Sequence, residues 1–111
     1  MIGAGRPLSS RVLIFEPYAD LRAEIAATLT REHYTCDAVG SAEHALLALK
    51  RNSYKYVLMD AESLGGAIVS SLDPASRVIL ITDSQSSADT GADATLQKPF
   101  SRDELISRFA S

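Results

Sequence analysis

The sequence predicts a doubly wound α/β domain with a five-stranded parallel sheet. Short apolar runs alternate with segments of helical period along the chain, and several runs are apolar at nearly every residue. Strand–helix alternation is typical of a parallel sheet, and strands without polar alternation are typical of a sheet covered on both faces. A length of 111 residues leaves room for one domain.

The strands are predicted from runs rich in β-branched and other apolar residues. The five predicted strands are Arg11–Phe15, Thr35–Val39, Tyr54–Asp60, Arg77–Thr82 and Ala94–Gln97. In an open parallel sheet, functional groups gather beyond the carboxyl ends of the strands, near the point where the strand order reverses. This rule selects the polar residues at or just after the predicted strand ends, which are Glu16, Asp60, Thr82 and Lys98.

Helices are predicted between the strands from apolar residues at helical spacing. The first covers residues 19–32, and Ser41 is placed to cap the second. Residues 83–93 have neither helical nor strand periodicity and are predicted mainly as loop. The last helix begins with a capping box formed by Ser101 and Glu104.

Composition excludes several classes of function. A net charge of −3 gives no basic surface for direct nucleic-acid binding, and no segment approaches the roughly 20 apolar residues that cross a bilayer. The single cysteine, Cys36, excludes a disulfide framework and favours a reducing compartment. Met1–Ser10 lacks the apolar core of a secretory signal and is predicted to be a flexible lead-in. A cytoplasmic location is therefore expected.

Four fragments in register resemble receiver domains of two-component response regulators. RVLIFEPYADLR is similar to the first strand and helix start of these domains, and YKYVLMD to the third strand, which ends in the phospho-acceptor aspartate. RVILIT is similar to the fourth strand with its terminal Thr or Ser, and LQKPF to the Lys-Pro that follows the fifth. The resemblance implies a flavodoxin-like receiver domain over residues 11–111, which can be the N-terminal part of a longer regulator.

The resemblance also implies roles for the residues at the strand ends. Asp60 becomes the candidate phospho-acceptor, because a carboxylate can attack a phosphoryl group and form an acyl phosphate. Lys98 would supply a positive charge and Thr82 a hydroxyl donor to the transferred group. Receivers normally also bind Mg²⁺, here through Glu16 and Asp60. The implied partners are a histidine kinase or phosphotransfer protein, a regulatory protein and a second copy of the chain.

The sequence departs from the family pattern at the site itself. Receivers carry two acids after the first strand, but the second position here is Pro17, so magnesium binding is expected to be weak or absent. Glu62 could lean in as a replacement oxygen, and Asp83 could either add a carboxylate or obstruct the phosphoryl group. The position three residues before the lysine, where receivers place their switch aromatic, is Thr95.

Two helices are also predicted to be eroded. The interval between Asp60 and Thr82 is shorter than is typical of receivers, and the Gly65-Gly66 pair costs about 1 kcal/mol per glycine relative to alanine in a helix. The third helix is therefore expected to be short. The interval between Thr82 and Lys98 is shortened as well, so the fourth helix is expected to be reduced or missing.

Two functional hypotheses remain open from the sequence. The first is a signalling receiver that accepts a phosphoryl group on Asp60, with no enzymatic activity beyond its own phosphorylation and dephosphorylation. The second is a pseudo-receiver, a module for protein–protein interaction or dimerisation that acts without phosphorylation. A flavodoxin-like enzyme is disfavoured, because the sequence from Glu16 to Tyr18 offers no glycine-rich cradle for a cofactor phosphate.

Overall fold

A computed structural model of the chain describes residues 11–63, 65–83 and 92–110. Within these ranges the strands are β1 (Arg11–Phe15), β2 (Thr35–Val39), β3 (Tyr56–Asp60), β4 (Arg77–Thr82) and β5 (Ala94–Gln97). The helices are α1 (Ala19–Arg31), α2 (Ala42–Arg51), α3 (Gly66–Ser71) and α4 (Arg102–Ala110), and a 3-10 turn covers Ala61–Ser63. None of the described helices is both long enough and apolar enough to span a bilayer.

The five strands form one parallel sheet in the order β2-β1-β3-β4-β5. The chain moves outward from β1 to β2, then returns to the other side of β1 and continues through β3, β4 and β5. The strand order therefore reverses between β1 and β3, and a crevice opens there beyond their carboxyl ends. This topology confirms the predicted doubly wound fold.

Helices cover both faces of the sheet, and successive residues of a strand point to opposite faces. Val12 and Ile14 of β1 belong to one apolar cluster, together with Ile25 of α1 and Leu105 of α4. Leu13 and Phe15 belong to the other cluster, which includes Ala45 of α2 and Ile68 of α3. The three central strands, β1, β3 and β4, consequently have no exposed residue, which is why their sequences show no polar alternation, whereas the edge strands β2 and β5 each expose two residues.

Two helix starts are stabilised by the predicted side-chain caps. The Ser41 hydroxyl accepts a hydrogen bond of 3.2 Å from the His44 N–H at the start of α2. At α4 the bonds are reciprocal: Glu104 N–H donates to Ser101 Oγ over 3.0 Å, and Ser101 N–H donates to Glu104 Oε1 over 2.9 Å. Since these bonds satisfy amide groups that have no partner within the helix, they define where each helix begins.

The predicted element boundaries need small corrections. β3 begins at Tyr56 rather than at Tyr54. Lys55 still bonds to the first residues of β1 and β4, but the Tyr54 carbonyl accepts from the Ser76 hydroxyl, outside the strand pairing. α1 ends at Arg31, one residue before the predicted end.

The third helix is short, as predicted, since α3 has six residues. The helix between β4 and β5, which was expected to be reduced or missing, would fall on residues 84–91. These residues and the predicted lead-in Met1–Ser10 lie outside the described residues.

Candidate functional site

The four polar residues predicted at strand ends lie at one edge of the sheet. Glu16 directly follows β1, Asp60 is the last residue of β3, Thr82 ends β4 and Lys98 directly follows β5. Glu16 and Asp60 therefore flank the point where the strand order reverses. The Lys98 side chain reaches toward that point from beyond the last strand, and its backbone N–H donates to the Thr82 carbonyl over 2.8 Å.

The Lys98 ammonium is shared by three carboxylates. Its Nζ lies 3.7 Å from Glu16 Oε1, 3.7 Å from Asp60 Oδ1 and 3.6 Å from Asp83 Oδ1. These distances are longer than a charge-assisted hydrogen bond of about 2.7–2.9 Å, so the ammonium is held by the combined field rather than by one partner. In formal charges, three carboxylates against one ammonium leave an excess of two negative charges at this edge.

Glu16 is a fully buried carboxylate, with 0% of its surface exposed. Its Oε2 accepts a 3.0 Å hydrogen bond from the Tyr18 N–H. Its Oε1 has no hydrogen-bond partner and faces Lys98 Nζ. Since burying a charge without compensation is costly, Lys98 is the principal cation that stabilises Glu16 in this position.

The backbone around Glu16 is fixed by Arg22 of α1. Arg22 Nη1 donates to the Glu16 carbonyl over 2.8 Å and to the Pro17 carbonyl over 3.4 Å. The same guanidinium lies against Gly40, where a β-carbon would overlap with it. The absence of a side chain at Gly40 therefore leaves the space in which Arg22 clamps the turn after β1.

Asp60 is 8% exposed, so its carboxylate is accessible only along a narrow approach. Oδ1 faces Lys98, and Oδ2 accepts a 3.3 Å hydrogen bond from the Ser63 hydroxyl in the 3-10 turn. That bond is long for an O–H donor and correspondingly weak. An electrophile that approaches Asp60 would therefore meet a carboxylate held by one cation and one weak hydroxyl donor.

The other predicted residues are less closely engaged. Thr82 is half-buried at the end of β4, and its described contact with Lys98 is made by the backbone. Glu62 is exposed on the 3-10 turn, and none of the described ion pairs joins it to Lys98. Thr95 is exposed, and its carbonyl accepts a bond of 2.8 Å from Arg108 Nε.

Sequence reasoning missed two parts of the site. Ser63 had no motif to mark it, and only the 3-10 turn after β3 brings its hydroxyl back to Asp60. No motif marked Tyr18 either: its side chain is 68% exposed, and the Lys98 Nζ lies 5.2 Å from the ring centroid. Tyr18 lies two residues after Glu16, the acid that follows β1, and this position was the available signal in the sequence.

The donor set does not fit a magnesium site of the usual kind. Mg²⁺ requires near-octahedral oxygen ligands, whereas Pro17 contributes no side-chain oxygen and the oxygens of Glu16, Asp60 and Asp83 are disposed around the Lys98 ammonium. Across residues 11–63, 65–83 and 92–110, no group of three or more His, Cys, Asp or Glu side chains could hold a metal ion.

Comparison with known proteins finds a sequence relative among transcriptional regulators. In an alignment 116 positions long, the chain is 33% identical to the transcriptional regulatory protein TcrA of Mycobacterium tuberculosis, and the alignment covers 94% of the chain. It covers 46% of TcrA, so the chain spans about half the length of this relative. No protein-family profile matches the chain.

Solved structures with the same fold include several receiver proteins. The chemotaxis response regulator CheY4 of Vibrio cholerae superposes with a TM-score of 0.79 at 18% identity, covering 89% of this chain and 94% of CheY4. The receiver domain of the sensor histidine kinase PA1611 from Pseudomonas aeruginosa, with a magnesium ion coordinated in its active-site cleft, gives a TM-score of 0.70 at 22% identity, covering 90% and 93%.

A third structure carries the modification that the sequence suggests for Asp60. This response regulator from Burkholderia pseudomallei, which contains a phosphorylated aspartic acid and a calcium ion, gives a TM-score of 0.76 at 16% identity, covering 92% of this chain and 67% of that one. The sheet order and these superpositions show that the chain has the flavodoxin-like receiver fold of response regulators, and 94% of the chain is similar to part of TcrA.

Proposed function

We propose that this domain is the receiver of a two-component phosphorelay and accepts a phosphoryl group on Asp60 with little or no help from Mg²⁺. The observation that carries the proposal is the position of Asp60 at the end of β3, 8% exposed, with the Lys98 ammonium 3.7 Å away. A cytoplasmic histidine kinase or phosphotransfer protein would be the donor. A regulatory protein or a second copy of the chain would receive the signal.

The proposed reaction is a phosphoryl transfer to a carboxylate oxygen of Asp60. With acetyl phosphate as donor, the oxygen attacks phosphorus, an O–P bond forms, and the bond from phosphorus to the acetate oxygen breaks. Acetate leaves with the electron pair, so no further reactant is needed. Negative charge on the equatorial oxygens would be balanced by Lys98, and the Thr82 hydroxyl would donate a hydrogen bond to them.

Asp83 would oppose this reaction. Its carboxylate lies 3.6 Å from Lys98 Nζ and competes with the incoming phosphoryl group for the same cation. Because Asp83 is mostly exposed, its side chain can turn into solvent at little cost. We therefore expect Asp83 to slow phosphorylation without preventing it.

A pseudo-receiver is the second candidate, and the same cluster favours it. The Lys98 ion pairs with Glu16 and Asp60 hold this edge of the sheet together without a phosphoryl group, and Pro17 removes the oxygen that would complete a metal site. In this alternative the ion-pair cluster is structural. The domain would then act through constitutive contacts with a protein partner or a second copy.

Phosphorylation with a small donor distinguishes the two candidates. The protein is incubated with acetyl phosphate, with and without MgCl₂, and its intact mass is measured over time. A receiver gains one phosphoryl group, the Asp60→Asn variant gains none, and omission of MgCl₂ changes the rate by less than tenfold. Asp83→Asn is expected to accelerate the reaction about threefold, since it frees Lys98 from a weak exposed pair.

Glu62→Gln is the matched control, because it removes one carboxylate near Asp60 that has no described contact with Lys98. Its rate should equal that of the wild type. A wild-type protein that gains no mass from acetyl phosphate, binds no beryllofluoride and binds no Mg²⁺ by calorimetry would exclude the phospho-receiver and leave the pseudo-receiver.

A further inference from the structure

Tyr18 combines a fixed backbone with a free side chain at the edge of the site. Its N–H donates to Glu16 Oε2 over 3.0 Å, and its carbonyl accepts from Arg22 N–H over 2.9 Å. The side chain is 68% exposed. In the described structure the backbone is therefore anchored at both ends of the residue, while the ring can change its rotamer without disturbing the fold.

The ring of Tyr18 lies against the Lys98 ammonium. The distance from Nζ to the ring centroid is 5.2 Å, within the range of about 6 Å in which a cation is attracted by an aromatic ring. Lys98 is 18% exposed, although it stands at the open edge of the sheet. The tyrosine ring and the carboxylates of Glu16, Asp60 and Asp83 together surround the ammonium.

The ammonium position depends on a balance that a phosphoryl group would change. The three carboxylate distances fall between 3.6 and 3.7 Å, so none of these oxygens holds Nζ in a short hydrogen bond. A phosphoryl group adds nearly two negative charges and strong acceptor oxygens. Nζ would move toward those oxygens, and a shift of about 1 Å away from the ring would take it beyond the range of the attraction.

We propose that Tyr18 is a positioning residue that holds Lys98 over Asp60 in the resting domain and loses this contact when Asp60 is phosphorylated, so that the ring reports the state of the site to the exposed surface at the start of α1. This inference rests on the proposed function and adds a readout to it. The partner surface implied is the one that contains the Tyr18 ring and the solvent-exposed first turn of α1.

The chain has no tryptophan, so Tyr18→Trp introduces a single fluorescent reporter that keeps an aromatic ring beside Lys98. Its emission is recorded while acetyl phosphate is added, and the intact mass is measured on the same samples. We expect the emission to change in proportion to the phosphorylated fraction and to stay constant in Tyr18→Trp/Asp60→Asn. Leu47→Trp, on the exposed face of α2, provides a control reporter whose emission should not respond.

Substitutions that keep or remove the Tyr18 ring test its positioning role. Tyr18→Phe retains the attraction to Lys98, and its phosphorylation rate should match that of the wild type. Tyr18→Leu removes the attraction, and its rate should fall about fivefold while its unfolding midpoint stays unchanged. A merely structural role would give the opposite pattern, with a shifted midpoint and an unchanged rate.

The outcomes separate this inference from the proposed function. A phosphoryl adduct with unchanged tryptophan emission would overturn the role of Tyr18 and leave Asp60 as the acceptor. Equal rates for Tyr18→Phe and Tyr18→Leu would also overturn it. Failure to form any adduct would overturn the proposed function, and the role of Tyr18 in reporting it would fall with it.

Discussion

Glu16 is a buried carboxylate whose stability depends on a single neighbouring cation. It is 0% exposed, and its Oε1 has no hydrogen-bond partner, with Lys98 Nζ 3.7 Å away. Removing the ammonium would leave this carboxylate buried without compensation. We expect Lys98→Met to lower the free energy of unfolding by about 3 kcal/mol, as is typical when one member of a buried pair is removed. Urea unfolding measures this loss.

A double-mutant cycle attributes the loss to the pair. Glu16→Gln keeps an oxygen for the Tyr18 N–H and removes one of the three carboxylates, so alone it should change stability by less than about 1 kcal/mol. In Glu16→Gln/Lys98→Met the charge of Glu16 is gone, so the part of the loss that comes from Glu16 should be recovered, while the part that comes from Asp60 should remain. Strictly additive effects of the two substitutions would contradict the assignment of Lys98 as the partner of Glu16.

The start of α4 is determined by residues that are close together in the sequence. Ser101 and Glu104 exchange hydrogen bonds of 3.0 and 2.9 Å across the first turn. We expect Ser101→Ala to lower the free energy of unfolding by about 1 kcal/mol, because an amide at the helix start loses its acceptor. Ser107→Ala on the same helix removes two exposed bonds, one to the Glu104 carbonyl and one from Arg108 Nη1, but no bond to the amides of the helix start, and it serves as the control. Equal urea midpoints for the two variants would contradict a capping role.

The elements could be predicted from the sequence wherever one local pattern determines the structure. β1 and β4 each contain an unbroken apolar run, residues 12–15 and 78–81, because both faces are covered, and the capping box marks α4. α3 was predicted to be short, but the sequence does not show which of its residues are buried: this helix of six residues buries only Ile68, and the neighbouring Val69 is exposed. The hydrophobic pattern of the sequence alone does not show how many turns of this helix contact the sheet.

The site required the topology of the whole sheet as well as the strand ends. Glu16, Asp60 and Lys98 are distant in sequence, and the rule that functional groups gather beyond the carboxyl ends of parallel strands brought them together in the prediction. The ring of Tyr18 was not predicted at the site, because its position depends on where the Lys98 side chain ends, which no sequence period encodes.

At the scale of the whole domain, one part-buried polar network links β1 and β2 to the segment before β3. The Tyr54 hydroxyl donates to Asp37 Oδ2 over 2.7 Å, and the same oxygen lies 3.5 Å from Arg11 Nη2. Burial and then the bond to Asp37 raise the pKa of Tyr54 from 10.0 to about 12. The folded protein therefore keeps this proton at a pH where the unfolded chain has lost it.

This difference makes the stability of the domain depend on alkaline pH. Below pH 10 the contribution of Tyr54 is fully present, and it is lost as the pH rises toward about 12, because unfolding then releases a proton. Between about pH 8.5 and 11 the wild type should lose about 1 kcal/mol more than Tyr54→Phe, after allowance for solvent screening. Tyr34, whose pKa is also raised by burial, is present in both proteins and cancels in the comparison. Urea unfolding of both proteins at the two pH values measures the difference, and parallel losses would show that the Tyr54 proton is not retained by the fold.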